Sequence, residues 1–293
     1  MRKIWLYLLS ILFLAVVLVW LAVLTRPSES LKVIACDVGQ GDAILIVQND
    51  TQVLIDGGPG NKVISCLSKY MPFWDRKVEV VVMTHPDADH SAGLVDVFEN
   101  YSVGNFVTTE TNRDTDVYKT LKDLILGSEA KVVYARKGET LKLGSISFDI
   151  LHPSISELSG MSGFQSKVLG SATSERANDY SIVMEMRYGD FNALFTGDIE
   201  DEVSDLVADE SDVSDLDFLK IPHHGSKNGL SQKLLDEVRP ELTVISVGKN
   251  NRFGHPHDEV LKMISDSQTK LLRTDLVGDV VVETNGKNWR VVN

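Results

Sequence analysis

The sequence predicts an α/β domain behind an N-terminal membrane-spanning helix, and three observations predict it. Short runs of β-branched residues alternate with helical stretches from Leu31 onward. The strand runs end in Gly- and Asp-containing turns, where α/β sheets gather their polar chemistry. Ile4–Leu24 is apolar except for Ser10 and carries no charge, about the length that spans a hydrocarbon core. We divide the chain into an anchor with a short linker, 1–30, and one domain, 31–293.

Arg2 and Lys3 precede the apolar run, and Arg26 and Pro27 follow it. An uncleaved signal anchor is expected over a cleaved signal peptide, since no small-x-small site follows the run. The positive-inside rule then puts Arg2 and Lys3 in the cytoplasm and the domain outside it, a single-pass cell-membrane protein. The two cysteines, Cys36 in a predicted strand and Cys66 in a predicted helix, stand thirty residues apart. One disulfide is possible outside the cytoplasm, but two buried, unpaired thiols is the preferred expectation. The formal net charge of −13, from 42 acidic and 29 basic residues, argues against a broad nucleic-acid-binding face.

Within the domain, strands are predicted at Lys32–Cys36, Ala43–Val47 and Gln52–Ile55, joined by the turns Asp37–Asp42 and Asp56–Gly60. Gly57 and Gly58 suit a sharp turn. A helix follows over Val63–Lys69, then a buried strand over Val78–Met83 and a helix beginning at Leu94. The loop between them, 84–93, reads Thr-His-Pro-Asp-Ala-Asp-His-Ser-Ala-Gly. His85, Asp87, Asp89 and His90 place two imidazoles and two carboxylates within six residues. That suits a divalent cation better than an acid–base pair. A helix cap at Asp89 would need only one such residue.

Strands and helices alternate to about Lys131, and Val132–His152 gives short strands turning at Gly138 and Gly144. Pro153–Ser174 is serine-rich and irregular, long enough for a lid or an exposed insertion. Tyr180–Arg187 and Phe191–Phe195 form a predicted hairpin ending in Thr196-Gly197-Asp198. The acidic run from Glu200 to Asp217 is read as a solvated helix face. Strands at Phe218–Ile221 and Val244–Val247 end in Pro222-His223-His224-Gly225-Ser226 and Gly248–His257. Five strand ends thus carry residues of ligand type.

These stretches resemble the metallo-β-lactamase superfamily, and more closely the extracytoplasmic hydrolase domain of ComEC-type DNA-uptake proteins. The matching segments, in order, are DVGQGDA (37–43), LIDGG (54–58), THPDADHSAGL (84–94), NDYSIV (178–183), LFTGDI (194–199), LKIPHHGS (219–226) and SVGKNNRFGHPH (246–257). The resemblance implies an αββα sandwich with a metal site along one edge. It implies metal ligation by His85, Asp87, Asp89, His90, Asp198 as a bridging carboxylate, and His223 or His224. Asp87 stands where many members carry histidine, and Asn178, Asp179 and Ser181 lie where a further histidine is expected. Oxygen in place of nitrogen moves preference from zinc toward manganese or magnesium, so one or two divalent ions are expected, zinc or manganese, with magnesium also admissible. The multi-pass channel of ComEC proteins has no counterpart in the single apolar span.

A divalent ion lowers the pKa of bound water to roughly 7 in favourable sites, and two ions about 4 Å apart can hold nucleophile and substrate oxygen together. Asp89 is the expected proton acceptor. His255 and His257 are expected to act on the oxyanion or leaving group, although His255-Pro256-His257 also reads as a helix start. Lys220, Ser226, Lys227, Lys249, Asn250 and Arg252 are the expected substrate contacts. The expected activity is hydrolysis of a phosphodiester, DNA or nucleotide. Hydrolysis of phosphorylated or phosphorylcholine-bearing envelope polymers is the second reading, and a non-catalytic binding module the third.

Overall fold

The computed structural model describes residues 2–24, 30–159, 172–173, 177–209 and 213–292. Its strands run β1 Leu31–Ala35, β2 Ile44–Gln48, β3 Thr51–Ile55, β4 Lys77–Val82, β5 Ser102–Thr108, β6 Thr111–Asn112, β7 Lys131–Tyr134, β8 Thr140–Leu143 and β9 Ile146–His152. They continue as β10 Ala172–Thr173, β11 Val183–Tyr188, β12 Phe191–Phe195, β13 Phe218–Lys220, β14 Leu242–Ile245, β15 Lys270–Arg273, β16 Val280–Thr284 and β17 Trp289–Val291. The helices are α1 Arg2–Leu24, α2 Lys62–Tyr70, α3 Ala88–Asn100, α4 Asp116–Gly127, α5 Ile155–Ser159, α6 Asp201–Ala208, α7 Gln232–Val238, α8 Asp258–Asp266 and α9 Thr274–Val277.

Eight strands form one sheet in the order β17-β16-β1-β2-β3-β4-β5-β7, and seven form a second in the order β15-β14-β13-β12-β11-β9-β8. Alternation along each strand builds the layers. Val33, Ile44, Ile46, Val80 and Val82 point inward and meet Phe148, Met184, Met186, Phe195 and Val244 of the other sheet in one core. Their neighbours Ile34, Leu45, Leu54 and Val81 point outward onto α2, α3 and α4. Val183, Leu194, Leu219 and Ile245 do the same beneath α6, α7 and α8. The result is the expected αββα sandwich. Its second sheet begins within the chain's middle, and the last two strands return to the first sheet.

Several boundaries differ from the sequence reading in ways that matter. Helix α3 begins at Ala88, six residues before the predicted start. Asp89 and His90 therefore sit in its first turn, and Asp87, not Asp89, takes the N-cap position. β14 ends at Ile245, two residues before the predicted end, and the Ser246 carbonyl beyond it meets His224 Nδ1. Cys36 and Cys66 are not free thiols. They form a disulfide, with Cα atoms 6.0 Å apart, tying the end of β1 to α2. Most of the predicted Pro153–Ser174 loop lies outside the described residues; α5 and β10 are its described parts. Helix α1 contains one apolar segment, Lys3–Trp20, long enough to cross a membrane.

Candidate metal centre

Both sheets deliver polar side chains from the carboxyl ends of their parallel strands to one end of the sandwich. Asp56 follows β3, and Thr84 and His85 follow β4. Asp198 follows β12, His223 and His224 follow β13, and Ser246 follows β14. The β1–β2 turn brings Asp42 to the same place.

Close backbone packing fixes these loops. The Asp42 amide donates to the Asp89 carbonyl, and the Gly57 amide donates to the His90 carbonyl at 2.7 Å. Gly41 has φ +138°, and a Cβ there would fall 2.1 Å from the Asp89 carbonyl oxygen. A Cβ on Gly93 would fall 2.0 Å from the Gly57 carbonyl oxygen. Only glycine fits either position.

Four buried residues, Asp42, His90, Asp198 and His224, bring ligand-type atoms within 4.8 Å of one another. His90 Nε2 and His224 Nε2 each lie 3.2 Å from Asp198 Oδ2. The other ring nitrogen of each is engaged from outside. His90 Nδ1 meets Asp56 Oδ2 at 2.8 Å, and His224 Nδ1 meets the Ser246 carbonyl at 3.0 Å. An Nδ1–H donated outward leaves the Nε2 lone pair facing the cluster, the arrangement that orients a metal-ligating histidine. His85 is set the same way through a relay. Thr84 Oγ1 donates to Asp56 Oδ2 at 2.7 Å and contacts His85 Nδ1 at 3.1 Å. Asp56 thus supports two imidazoles at once.

The electrostatics favour a cation. Asp42, Asp56, Asp89 and Asp198 set four carboxylates around these rings against one buried ammonium, Lys220. Burial alone would raise the Asp198 carboxyl, but the His224 and His90 rings hold it well below its ordinary range. Burial alone would lower His90, but Asp198 and Asp56 hold it well above its ordinary value. His224 behaves likewise between Asp198 and Asp42. His85, buried and next to His90, is pushed down. Buried atoms without a hydrogen-bond partner include His85 Nε2, His90 Nε2, His224 Nε2 and Asp198 Oδ1. Leaving such atoms unpaired is costly. A divalent cation held by this cluster would satisfy such atoms and displace imidazole protons. The donor set of nitrogen and oxygen fits that group.

Comparison with known proteins is consistent with this architecture. The profile of the Metallo-beta-lactamase superfamily matches residues 36–116. The metallo-beta-lactamase fold protein YhfI from Bacillus subtilis superposes with a TM-score of 0.57 at 14% identity, covering 88% of this chain and 100% of that one. This chain has the metallo-β-lactamase fold. A diphosphatase from the PhnP family shares it, with a TM-score of 0.51 and 14% identity, covering 89% of this chain and 99% of that one. In sequence, ComE operon protein 3 of Bacillus subtilis is 25% identical over 272 residues, 83% of this chain and 32% of that protein. Recombination protein 2 of Haemophilus influenzae is 26% identical over 263 residues, 88% of this chain and 29% of that protein. The chain thus spans about a third of the length of these relatives.

Within this fold, the sequence-selected residues divide into three groups. His85, His90, Asp198 and His224 converge on the cluster. Asp89 stands at its mouth, with Oδ2 3.4 Å from His224 Nε2, and that ring holds its carboxyl low despite burial. Of the histidine pair, His224 enters the cluster, while His223 stays at the rim with Nε2 3.9 Å from Asp198. Both have left-handed backbone, φ 47° and 53°, which turns adjacent rings in different directions.

The second group is the rim. Asp87 is ion-paired to Arg113 at 2.6 Å. His255 packs between His223 and Phe253. Its burial and the neighbouring His223 ring pull its pKa down to about 4. Arg252 and Asp89 line a cleft of about 470 Å³ with Gln40, Pro59 and Phe253. Ser226 is buried on the turn after His224.

The third group takes structural places. His257 occupies the N-cap position of α8, and its Nδ1 accepts the Lys227 amide at 3.3 Å. Lys227, Lys249 and Asn250 sit on exposed turns. Lys220 is corrected most sharply. It is fully buried, with Nζ 2.7 Å from Asp42 Oδ2 and donating to the Ile221 carbonyl at 2.8 Å, so it faces away from any substrate. Sequence reasoning missed Asp42, Asp56 and Thr84 as site residues, although all three lie inside the segments that carry the resemblance. The signal was there: Asp42 and Asp56 are strand-end acids beside glycines, as Asp198 is.

Proposed function

We propose that the protein is a membrane-anchored, extracytoplasmic metal-dependent hydrolase that cleaves phosphodiesters, DNA or nucleotides, by attack of water. The carrying observation is the buried Asp/His cluster opening, through Asp89, onto a cleft that also holds Arg252. His85, His90, Asp198 and His224 are the residues that would hold one or two divalent ions. Such ions supply Lewis acidity and an activated water. Asp89 is placed to accept a proton at the mouth. Arg252 offers a guanidinium to a phosphate oxygen, a pairing that suits its planar fork. His255 lies next to His223 on the same rim, where a leaving group would depart.

Phosphate-ester chemistry is also favoured by the likeness to a diphosphatase in fold and to Recombination protein 2 in sequence. The surplus of acidic residues disfavours broad duplex binding, so short or single-stranded ends are the expected substrates. The Cys36–Cys66 disulfide agrees with an oxidising compartment.

The test is a panel of single-stranded DNA, bis-p-nitrophenyl phosphate and a phosphorylcholine ester, assayed with manganese, zinc and magnesium. Turnover of the first two, abolished by chelator and by Asp198→Ala, is expected. Cleavage of the phosphorylcholine ester alone would replace the nucleic-acid reading with the envelope-polymer one. Metal binding without any turnover would leave a binding module.

A further inference from the structure

The metal site occupies one end of the sandwich, and a different feature marks the opposite end. Leu31 pairs with Gln48, Gln48 with Thr51, and Val53 with Val80. The start of β1, the β2–β3 turn at Asn49–Asp50 and the start of β4 at Lys77 therefore share the end remote from Asp56 and His85. Four adjacent strands span about 15 Å at a spacing near 4.8 Å. The start of β1 is also where the chain arrives from α1. Leu24 and Ser30 are six residues apart, a step that chain contour limits to about 20 Å.

The loop entering β4 at this same end carries Phe73 and Trp74. They are 82% and 69% exposed, with their rings edge to face at 4.8 Å. Among the described residues of the domain, no other exposed pair of Phe, Tyr or Trp rings touches. Scattered single apolar residues need no explanation, but two adjacent exposed aromatic rings mark a contact surface. Residues 73–77 hold two cations, Arg76 and Lys77, against one acid, Asp75, in a chain whose net charge is −13. Lys77 stays 58% exposed while paired to Glu79. Aromatic rings beside cations suit the headgroup level of an anionic bilayer.

We propose that this end of the domain rests on the membrane surface, with Phe73 and Trp74 seated among the lipid headgroups and the metal site facing away. The contact builds on the anchor reading of α1, whose short connection holds the domain within reach of the bilayer. β4 has six residues, which at about 3.3 Å each raise the site roughly 20 Å above the contact. Substrate then enters from the aqueous side, not laterally from the lipid.

The experiment uses the full chain reconstituted in phosphatidylcholine/phosphatidylglycerol vesicles. Both native cysteines are in the disulfide, so an introduced cysteine takes an environment-sensitive fluorophore selectively. Labels at Trp74→Cys and Asp50→Cys should shift to the blue and lose most of their emission to headgroup-level spin-labelled lipid. A label at Glu259→Cys, at the start of α8 on the site end, should do neither. The Phe73→Ser/Trp74→Ser variant should remove the quenching at Asp50→Cys, which keeps the test independent of any disturbance from labelling position 74. Flotation on a density gradient separates two failures. A chain that floats with the vesicles while labels 50 and 74 remain unquenched overturns the contact, leaves the anchor intact and assigns the aromatic pair to a protein partner. A chain that does not float overturns the anchor and the contact together.

Discussion

Two aspartates at the metal centre, Asp42 within the cluster and Asp87 at its rim, are each matched to a cation, but their settings differ. Asp42 and Lys220 are both buried, 2.7 Å apart, behind His224. Asp87 and Arg113 meet at 2.6 Å with each side chain 28% exposed. In the first pair, burial alone would raise the carboxyl, and Lys220 and His224 hold it below its ordinary range. Asp42 Oδ1 also lies 3.3 Å from His224 Nδ1. The inner pair is therefore built into the position of a cluster histidine, whereas the outer one can exchange partners with water. Attraction between opposite charges strengthens inside the protein, but the cost of leaving either partner alone there rises more.

That difference predicts the largest effect. Lys220→Met should cost about 3–5 kcal/mol by urea denaturation because it strands Asp42. Arg113→Met should cost less than about 1 kcal/mol. The double variant Asp42→Asn/Lys220→Met should recover most of the inner loss, since a neutral pair needs no counter-charge. Equal losses for the two single variants would erase the distinction.

The disulfide bears on the inner arm alone, because Cys36 immediately precedes the turn carrying Asp42. Replacing both Cys36 and Cys66 with alanine should cost about 2–4 kcal/mol. A thermal-melt series should show that loss while Asp87→Asn leaves the melt unchanged to within about 0.5 kcal/mol.

A third contrast concerns metal affinity, measured by competition with a chromogenic chelator. Asp56→Ala removes the partner of His90 and, through Thr84, of His85. It should weaken binding by about 10–100-fold. Asp87→Asn should change affinity only a few-fold, given the hold of Arg113 on Asp87. A loss at Asp87 as large as at Asp56 would make Asp87 a direct ligand, as the sequence pattern suggested.

The smallest effect is expected at the mouth. Arg252→Ala should raise KM for a nucleotide substrate and flatten its dependence on salt, with kcat little changed. A fall in kcat with KM constant would place Arg252 in transition-state stabilisation instead.

The succession of strands and helices was legible in the sequence because β-branched runs closed by turns are a local property, whereas the αββα layering came from the family resemblance. The strand-end positions of His85, Asp198 and the His223–His224 pair were legible for the same reason: each follows an apolar run closed by a turn. The sequence could also mark the apolar length of α1. It could not choose between His223 and His224, because adjacent residues differ only in where their backbone angles send the rings. It could not reveal that Lys220 is buried against Asp42, 178 positions away in the chain, since a lysine beside a ligand motif looks the same whether it faces substrate or core. The pairing of Cys36 with Cys66 likewise required α2 to pack against the end of β1. These choices were made by contacts between distant segments, where burial decides whether a charge or a thiol meets water or a partner.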